Sequence, residues 1–196
     1  YRTPQACPPP GRGGNNMVDI ENCVDLRDTG RSMLGAKQER WLEAGLVASR
    51  ARWNVLAQQT LFSQWDRKLG PGRIARTDGW DGYPAARRRL IDALAEHKPA
   101  NPVLIGGDMH MSFVADVKKD YDNPISPTVA SEFVGTSITS QGASLASIRR
   151  LLPDNPHIHL AEPRYRGYTR VELTPKRMSV DLRAMDSVTT RDAECK

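Results

Sequence analysis

The chain has few cysteines and no long apolar run. Three of its 196 residues are cysteine, and none of them stands in a Cys-x-x-Cys pair, which argues against a structural zinc site. No apolar run approaches the roughly 20 residues that a membrane-spanning helix needs, so we expect no membrane span. A length of 196 residues suffices for one domain with a core and is too short to predict two.

Two common catalytic signatures are also missing. The sequence holds neither the Gly-x-Ser-x-Gly turn of many serine hydrolases nor a phosphate-cradling P-loop, which leaves both mechanisms without support. Aromatic residues are scarce, at 6%, whereas 39% hydrophobic and 26% charged residues are typical of a globular domain.

Basic residues outnumber acidic ones only slightly. Its 28 basic and 23 acidic residues give a net charge of +5, which suits a phosphate-bearing substrate or a nucleic acid. The basic residues are scattered, and no stripe interleaved with aromatic residues occurs. The densest cluster, at 87–89, lies within a helical pattern and is expected to be a solvated face. Nucleic-acid binding is therefore the weaker hypothesis.

The opening segment contains two of the cysteines, Cys7 and Cys23, among many prolines and glycines. Residues 1–36 show neither a helical nor a strand period, which predicts a surface loop leading into the domain. A disulfide between the two cysteines would stabilise the fold by about 3 kcal/mol and would require an oxidising compartment. Spacing alone leaves this disulfide and a pair of free thiols equally open.

Helical and strand patterns alternate along the rest of the chain, 37–196, which we interpret as one domain. The predicted helices lie over 38–52, 84–97 and 143–152. The predicted strands lie over 53–57, 103–105, 131–139, 168–173 and 178–185, the last two forming a hairpin. In the first helix, the apolar residues at helical spacing are Trp41, Leu42, Leu46 and Val47. This order predicts an α/β fold built on a layered sheet.

The sharpest chemical feature follows the predicted strand at 103–105. Two glycines end this strand, and Asp108 and His110 come directly after them. The carboxyl ends of sheet strands are where α/β proteins place ligand sites. In an extended segment, residues two apart point to the same side, so Asp108 and His110 would face one centre. A carboxylate with an imidazole suits iron, manganese or zinc, and the alternative is a turn-capping aspartate beside a structural histidine.

Asp81 lies in a loop just before the second helix. It is either a carboxylate that caps the helix or a further oxygen ligand of a metal, with Trp80 and Tyr83 lining the pocket, and spacing alone favours the cap. His157 and His159 also stand two residues apart. We interpret them as structural, because they lie between Pro156 and an apolar stretch and no carboxylate follows them before Glu162.

Six segments together resemble the PhoD-like alkaline phosphatase (alkaline phosphatase D) family. They occur in the family's order over almost the whole chain: MLGAKQERWL at 33–42, WNVLAQQ at 53–59, WDGYP at 80–84 with Arg87, VLIGGDMH at 103–110, EFVGTSITS at 132–140 and RGY at 166–168. The resemblance implies a calcineurin-like metallophosphoesterase sandwich, with mixed sheets flanked by helices. It further implies that this chain is the C-terminal part of the domain. The family's N-terminal half supplies further metal ligands, and the segments that carry them have no counterpart in this sequence. We therefore expect a sandwich that is incomplete at its N-terminus.

The resemblance also implies an activity and its residues. Family members hydrolyse phosphate monoesters or diesters and use iron with calcium. Carried over position by position, the family motifs make Asp81, Asp108 and His110 metal ligands, and Asp108 and His110 the catalytic residues. Arg87 and Arg166 are candidates for neutralising charge on the phosphoryl group.

The remaining implications concern location and completeness. The resemblance favours a disulfide between Cys7 and Cys23 and a secreted or periplasmic protein that acts on a small phosphate ester. The family often has Asn-Gln where this chain has Gln58-Gln59, which leaves the role of that position open. Two alternatives stand beside hydrolysis. One is an inactive part that needs the N-terminal half, and the other is a nucleic-acid-binding domain.

Overall fold

The computed structural model describes residues 1–9 and 16–196, and its centre is a five-stranded sheet. The α-helices are α1 (Ala36–Ala48), α2 (Pro84–His97) and α3 (Leu145–Leu151). The strands are β1 (Met17–Asp19), β2 (Asn54–Ala57), β3 (Ile74–Arg76), β4 (Pro102–Gly106), β5 (Ser112–Lys118), β6 (Thr128–Val134), β7 (Ile158–Glu162), β8 (Arg166–Leu173) and β9 (Met178–Met185). Within the described ranges, no helix has both the length and the apolar character needed to cross a membrane.

The central sheet has the strand order β2-β4-β6-β5-β7. Strands β2, β4 and β6 run parallel, whereas β5 is antiparallel to both of its neighbours. Helix α2 lies in the connection from β2 to β4, as parallel neighbours require a crossover. The predicted α/β class is thereby confirmed, with a sheet of mixed direction.

One face of this sheet is buried. The cluster that includes residues of α1 and α2 contains Leu46, Ile91, Leu94, Leu104 and Val117. The cluster that includes α3 contains Phe113, Ala115, Val134, Ile148 and Ile158. Burying a side chain of this size contributes about 1.5–3 kcal/mol, so these two clusters hold the helices and the sheet together.

The opposite face of the sheet is apolar but only partly covered. One row of residues crosses all five strands in register: Ala57, Ile105, Phe133, Val114 and Leu160. None of the five is buried, and Leu160 is 37% exposed. An apolar row of this length commonly marks a surface that packs against another element.

The local sequence pattern predicted the bounds of α2 more accurately than those of α1. Helix α2 occupies 84–97 as predicted, with proline at its start. Helix α1 ends at Ala48, before the predicted end at 52, because the chain turns extended at Ser49. The predicted apolar face of α1 is partly wrong, since Trp41 is 71% exposed and Val47 is 59% exposed. Leu42 and Leu46, one turn apart, are the side chains that face inward.

Several strands differ from the prediction. β5 and β7 were not predicted, although the apolar residues of β5 alternate and form its buried side. β6 lies over Thr128–Val134 rather than 131–139, because its pairing with β5 extends back to Thr128. The predicted hairpin is confirmed as β8 and β9, with β8 starting at Arg166.

The opening segment is not a loop throughout. β1 pairs antiparallel with β3, and short 3₁₀ helices follow at Ile20–Asn22 and Val24–Arg27. The structure contains the Cys7–Cys23 disulfide, with a Cα–Cα distance of 6.0 Å, and this prediction is confirmed. Around it lies a small buried cluster of Ala6, Cys23, Leu26 and Ala75. The expectation of an irregular surface loop is therefore corrected locally, whereas the division of the chain at residue 36 stays a prediction.

The arginine cluster at 87–89 is not uniformly solvated. Arg88 and Arg89 are exposed, and they form ion pairs with Asp92 and Glu39. Arg87 is only 6% exposed, because the side of α2 on which it lies faces the interior. The expectation of a solvated face is therefore wrong for Arg87.

Candidate active site

A narrow cleft lies beside the carboxyl ends of β2 and β4, where the loops after these two strands meet the segment before α2. Its volume is about 20 Å³. The charged residues that line it are Arg67, Arg76, Asp78, Asp81 and Asp108. The carboxyl ends of adjacent parallel strands are the usual place for a ligand site in α/β folds. We refer to this space as the cleft.

Asp81 enters the cleft from a short 3₁₀ helix, Trp80–Gly82. Its carboxylate is mostly buried and forms an ion pair with Arg87, the two side chains being 13% and 8% exposed. Its other oxygen accepts a hydrogen bond from the Trp65 backbone N–H at 3.3 Å. The N-cap of α2 is Tyr83, without a side-chain cap. The interpretation of Asp81 as a helix cap is therefore wrong, because its carboxylate turns to Arg87 instead.

The turn that carries Asp81 is held tightly. A Cβ at Gly82 would come within 2.0 Å of the Thr77 carbonyl oxygen, so only glycine allows this approach. Trp80 lines the cleft and donates its indole N–H to Gln58 Oε1 at 3.0 Å. Tyr83 was expected to line the pocket as well. It is instead fully buried and donates its hydroxyl to the Thr3 carbonyl at 2.8 Å.

Asp108 and His110 follow β4 in a segment that is not extended. Their φ angles are +64° and +57°, in the left-handed region. The expectation that the two side chains share one side of an extended chain is therefore wrong in its geometry, because β4 ends at Gly106. Asp108 is exposed and lines the cleft, with no hydrogen-bond or ion-pair partner in the part of the chain that the structure describes.

The two glycines before Asp108 have a structural use. A Cβ at Gly106 would approach the Thr60 carbonyl oxygen to 2.5 Å, so glycine here lets the loop after β2 pack against β4. Gly107 continues this contact, because its N–H donates to the Gln59 carbonyl at 3.2 Å. Glycines at the end of a strand can also leave room for a ligand. At Gly106 the room is filled by the chain itself.

The structure brings together two of the three predicted metal ligands. Asp81 and Asp108 line the same cleft, whereas His110 does not line it. Across residues 1–9 and 16–196, the one close group of at least three acidic, histidine or cysteine ligand atoms is formed by Cys7, Cys23 and Asp25. Two of its members are joined in the disulfide, so that group offers no thiolates. The assignment of Asp81, Asp108 and His110 as metal ligands stays a prediction.

The ligand atoms of Asp81, Asp108 and His110 are not equally available to a metal. His110 Nδ1 lies 3.3 Å from the Gln141 carbonyl, a contact in which Nδ1 is the donor, and Nε2 has no partner among the described residues. Metal-binding histidines are commonly held by such a bond to their second nitrogen. The carboxylate of Asp108 is also free. Asp81 is the exception, because Arg87 and the Trp65 N–H already occupy its oxygens.

Both arginines suggested by the resemblance are engaged within the chain. Arg166 is 4% exposed, and its guanidinium donates to the His110 carbonyl and to Ser137 Oγ, both at 2.9 Å. It therefore positions the backbone of His110 rather than facing the cleft. Arg87 donates to Asp81, and its Nη1 also lies 3.5 Å from the Phe62 carbonyl.

Arg67 is a cleft residue that sequence reasoning missed. Its Nε atom is buried without a hydrogen-bond partner, and no ion pair to its guanidinium occurs among the described residues. Burial lowers the pKa of Arg67, while the nearby charge of Asp81 acts in the opposite direction. No local pattern marks this residue, because it lies in an irregular stretch and its surroundings are made by distant segments.

Glu132 supports the cleft from behind. This residue of β6 is fully buried, and its carboxylate accepts the backbone N–H groups of Phe62 and Ser63 at 2.6 and 2.8 Å. Burial raises the pKa of Glu132 above its ordinary value. The carboxylate thus holds the loop after β2, which also supplies the Trp65 N–H to Asp81.

The two histidines of the 157–159 segment differ. His157 is buried, and its Nε2 lies 2.7 Å from the Gln64 carbonyl. Burial lowers the pKa of His157 to about 4, so the ring is neutral near pH 7, and its structural interpretation is confirmed. His159 is exposed and lies 3.1 Å from Asp116. The sequence did not indicate this pair, because β5 supplies Asp116 from a distant part of the chain.

Comparison with known proteins defines the class of the chain. Residues 1–182 match the family described as PhoD-like phosphatase, and the chain belongs to that family. Alkaline phosphatase D of Bacillus subtilis (strain 168) is 40% identical over 192 residues, which are 96% of this chain and 31% of that protein. The solved structure of PhoD matches with a TM-score of 0.89 and 36% identity, covering 100% of this chain and 36% of that chain. The chain thus spans about a third of the length of both relatives.

Proposed function

We propose that this chain forms part of a metal-dependent hydrolase of phosphate esters whose reaction takes place at the cleft. The observation that carries the proposal is the free carboxylate of Asp108, which opens into the same cleft as Asp81. Membership of a phosphatase family and 40% identity to an alkaline phosphatase D support it. A small phosphate monoester or diester is the proposed substrate class.

In this proposal, Asp108 and His110 hold metal through a free carboxylate oxygen and Nε2. Asp81, whose oxygens already accept from Arg87 and the Trp65 N–H, adds negative charge from the other side of the cleft. Carboxylate oxygens suit calcium and an imidazole suits iron, which are the two metals we propose. Such ions, when bound, lower the pKa of a coordinated water and neutralise charge on phosphoryl oxygens. Arg87 fixes the direction of the Asp81 carboxylate, and Arg166 holds the carbonyl of His110.

We also propose that the five-stranded sheet is one layer of a calcineurin-like sandwich. The apolar row from Ala57 to Leu160 supports this, because it crosses every strand on the face opposite the helical clusters. The relatives are about three times as long as this chain, which leaves enough sequence for a second layer. That layer would also provide the further ligands that two metals need, since three side chains hold two ions poorly.

The disulfide supports an extracytoplasmic location. Disulfides persist in secreted and periplasmic proteins and are rare where thiols are kept reduced. Cys23 is 1% exposed and lies in a buried cluster, so the bond between Cys7 and Cys23 is part of the packed structure. We therefore propose that the protein acts in an oxidising compartment.

A second candidate is that the chain is inactive until the rest of the sandwich is supplied. Two observations favour it. The apolar row lies on a partly covered face, and Arg87 occupies an oxygen of Asp81. In that case the isolated chain folds and binds partners through the sheet face, but it does not turn over substrate.

Hydrolysis of chromogenic phosphomonoesters and phosphodiesters tests the proposal. The chain is assayed at alkaline pH with and without iron and calcium, beside Asp108→Asn and the control Asp192→Asn, which changes an exposed carboxylate near the C-terminus. We expect metal-dependent turnover that Asp108→Asn abolishes and Asp192→Asn retains. Turnover that ignores both the metals and Asp108 would contradict the proposal. A folded chain without turnover would favour the second candidate.

A further inference from the structure

The charges of the cleft do not all find partners. Arg76 and Asp78 form an ion pair at 2.9 Å. Asp81 is paired with Arg87 from α2. After these two pairs, one cation and one anion of the cleft are left without an ion pair among the described residues, namely Arg67 and Asp108. The cleft thus presents a free guanidinium and a free carboxylate.

Arg67 is fixed at its base but not at its guanidinium. Its backbone N–H donates to the Ile74 carbonyl at 3.2 Å, which ties the residue to the start of β3. Its Nε atom is buried and has no acceptor. A guanidinium stays charged in proteins, and leaving a desolvated donor without an acceptor costs about 1–3 kcal/mol. A free donor held at such a cost commonly has a use beyond folding.

The neighbouring carboxylates do not satisfy Arg67. Asp81 and Asp78 lie close enough to oppose the lowering of its pKa, but neither forms an ion pair with it. Asp81 is instead paired with Arg87, and Asp78 with Arg76. Among the described residues the Arg67 guanidinium thus has no acceptor, which leaves it available to an anionic ligand.

The shape of the cleft restricts that acceptor. A volume of about 20 Å³ admits one water-sized atom. A guanidinium binds the oxygens of phosphate and carboxylate through paired N–H groups. A tetrahedral phosphoryl group presents a single oxygen to a narrow opening while its remaining atoms stay outside. Asp108, on the same cleft, offers an oxygen ligand for a cation that would neutralise the rest of the phosphoryl charge.

We propose that Arg67 binds a phosphoryl oxygen of the ester substrate, and of the inorganic phosphate product, at the mouth of the cleft. This inference rests on the proposed hydrolysis and assigns its anion-binding residue. Arg87 and Arg166, the two arginines indicated by family resemblance, are held by acceptors of their own chain. Arg67 is the cleft arginine that has a free guanidinium.

Calorimetric titration with inorganic phosphate, in the presence of calcium and then of iron, tests the assignment. We expect Arg67→Gln to weaken phosphate binding at least about tenfold, and Arg67→Lys to weaken it less, because lysine keeps the charge but loses the paired donors. Arg88→Gln, which removes an exposed arginine of α2 that is paired with Asp92, should leave the affinity unchanged. Equal phosphate affinity in the unaltered chain and Arg67→Gln, or no binding by the unaltered chain, would overturn the assignment.

Thermal unfolding separates a binding role from a structural one. Because Arg67 makes no ion pair or side-chain hydrogen bond in the described structure, Arg67→Gln should not lower the melting temperature. A large drop would overturn the inference, because it would show that the guanidinium serves the fold.

The hydrolysis assay keeps the two proposals apart. Turnover by the unaltered chain with phosphate affinity unchanged in Arg67→Gln would refute the role of Arg67 and leave the proposed function standing. Phosphate binding that depends on Arg67, in a chain that hydrolyses no ester under any metal condition, would support the anion site and count against hydrolysis by the chain alone.

Discussion

The two sides of the cleft are built in opposite ways. On one side, Asp81 is mostly buried, paired with Arg87 and hydrogen-bonded by the Trp65 backbone. On the other side, Asp108 is exposed, adopts a left-handed conformation and has no partner in the described ranges. The first side is completed by the chain itself. The second keeps its donor atoms free, as a site for a ligand requires.

The difference follows from the packing behind each side. Glu132 fixes the loop after β2, and that loop in turn fixes Asp81. Behind Asp108 the backbone is held through Arg166, which binds the carbonyl of His110 and leaves both side chains untouched. Mutations on the two sides should therefore have different consequences for stability and for activity.

The largest expected effect is on the buried side. Asp81→Ala leaves Arg87 buried without its partner, and breaking a buried pair in this way costs about 3–5 kcal/mol. We expect a loss of that size in the free energy of unfolding, measured by urea denaturation. The double variant Asp81→Ala with Arg87→Leu should recover much of the stability. If Asp81→Ala alone were as stable as the unaltered chain, Asp81 would not serve the fold, and the contrast with Asp108 would be lost.

The next largest effect is a loss of folding stability at acidic pH. The pKa of His157 is lowered to about 4 from its ordinary 6.5, so between these values the unfolded chain binds more protons than the folded chain. Stability is therefore full above pH 6.5 and falls as the pH drops towards 4, by up to about 3 kcal/mol. Denaturation at several pH values measures the slope. His157→Gln should flatten it and His159→Gln should not, and the reverse result would be inconsistent with a neutral, buried His157.

A smaller loss is expected behind the cleft. Glu132→Ala removes the acceptor of the Phe62 and Ser63 N–H groups, and an unsatisfied buried donor costs about 1–3 kcal/mol. The substitution also removes the unfavourable burial of the carboxyl group, which offsets part of this cost. We expect lower stability together with weaker metal binding, because the loop that orients Asp81 loosens. Glu132→Gln keeps one acceptor, so its stability should lie between that of Glu132→Ala and that of the unaltered chain. If Glu132→Ala leaves metal affinity unchanged, the loop does not position Asp81.

The smallest effect on stability is expected at the open side. Asp108→Gly removes a side chain that has no partner and suits a backbone φ of +64°, so unfolding should change by less than about 1 kcal/mol. The same change should abolish metal-dependent hydrolysis. Thermal melts monitored by circular dichroism, beside the hydrolysis assay, measure both. A loss of stability as large as that of Asp81→Ala would show that Asp108 belongs to the fold.

Local patterns predicted what local forces determine. Helix α2 and the β8–β9 hairpin follow from periodicity and turn residues, and both are found. β5 and β7 were missed, because their position depends on pairing between distant strands. The burial of Arg87 was also missed, since three adjacent arginines look alike until tertiary packing distinguishes them. The resemblance predicted Asp81, Asp108 and His110 as metal ligands, which stays a prediction. It gave no sign that Arg87 pairs with Asp81, while Asp108 has no partner among the described residues.

The most direct test of the account is calorimetric cation binding. Calcium and iron are titrated separately into the unaltered chain and into Asp108→Asn, a change that keeps the size of an exposed side chain. We predict that the unaltered chain binds at least one of these metals and that Asp108→Asn binds it at least about tenfold more weakly. Equal affinity in the two proteins, or no binding by the unaltered chain, would contradict a metal site on the open side of the cleft.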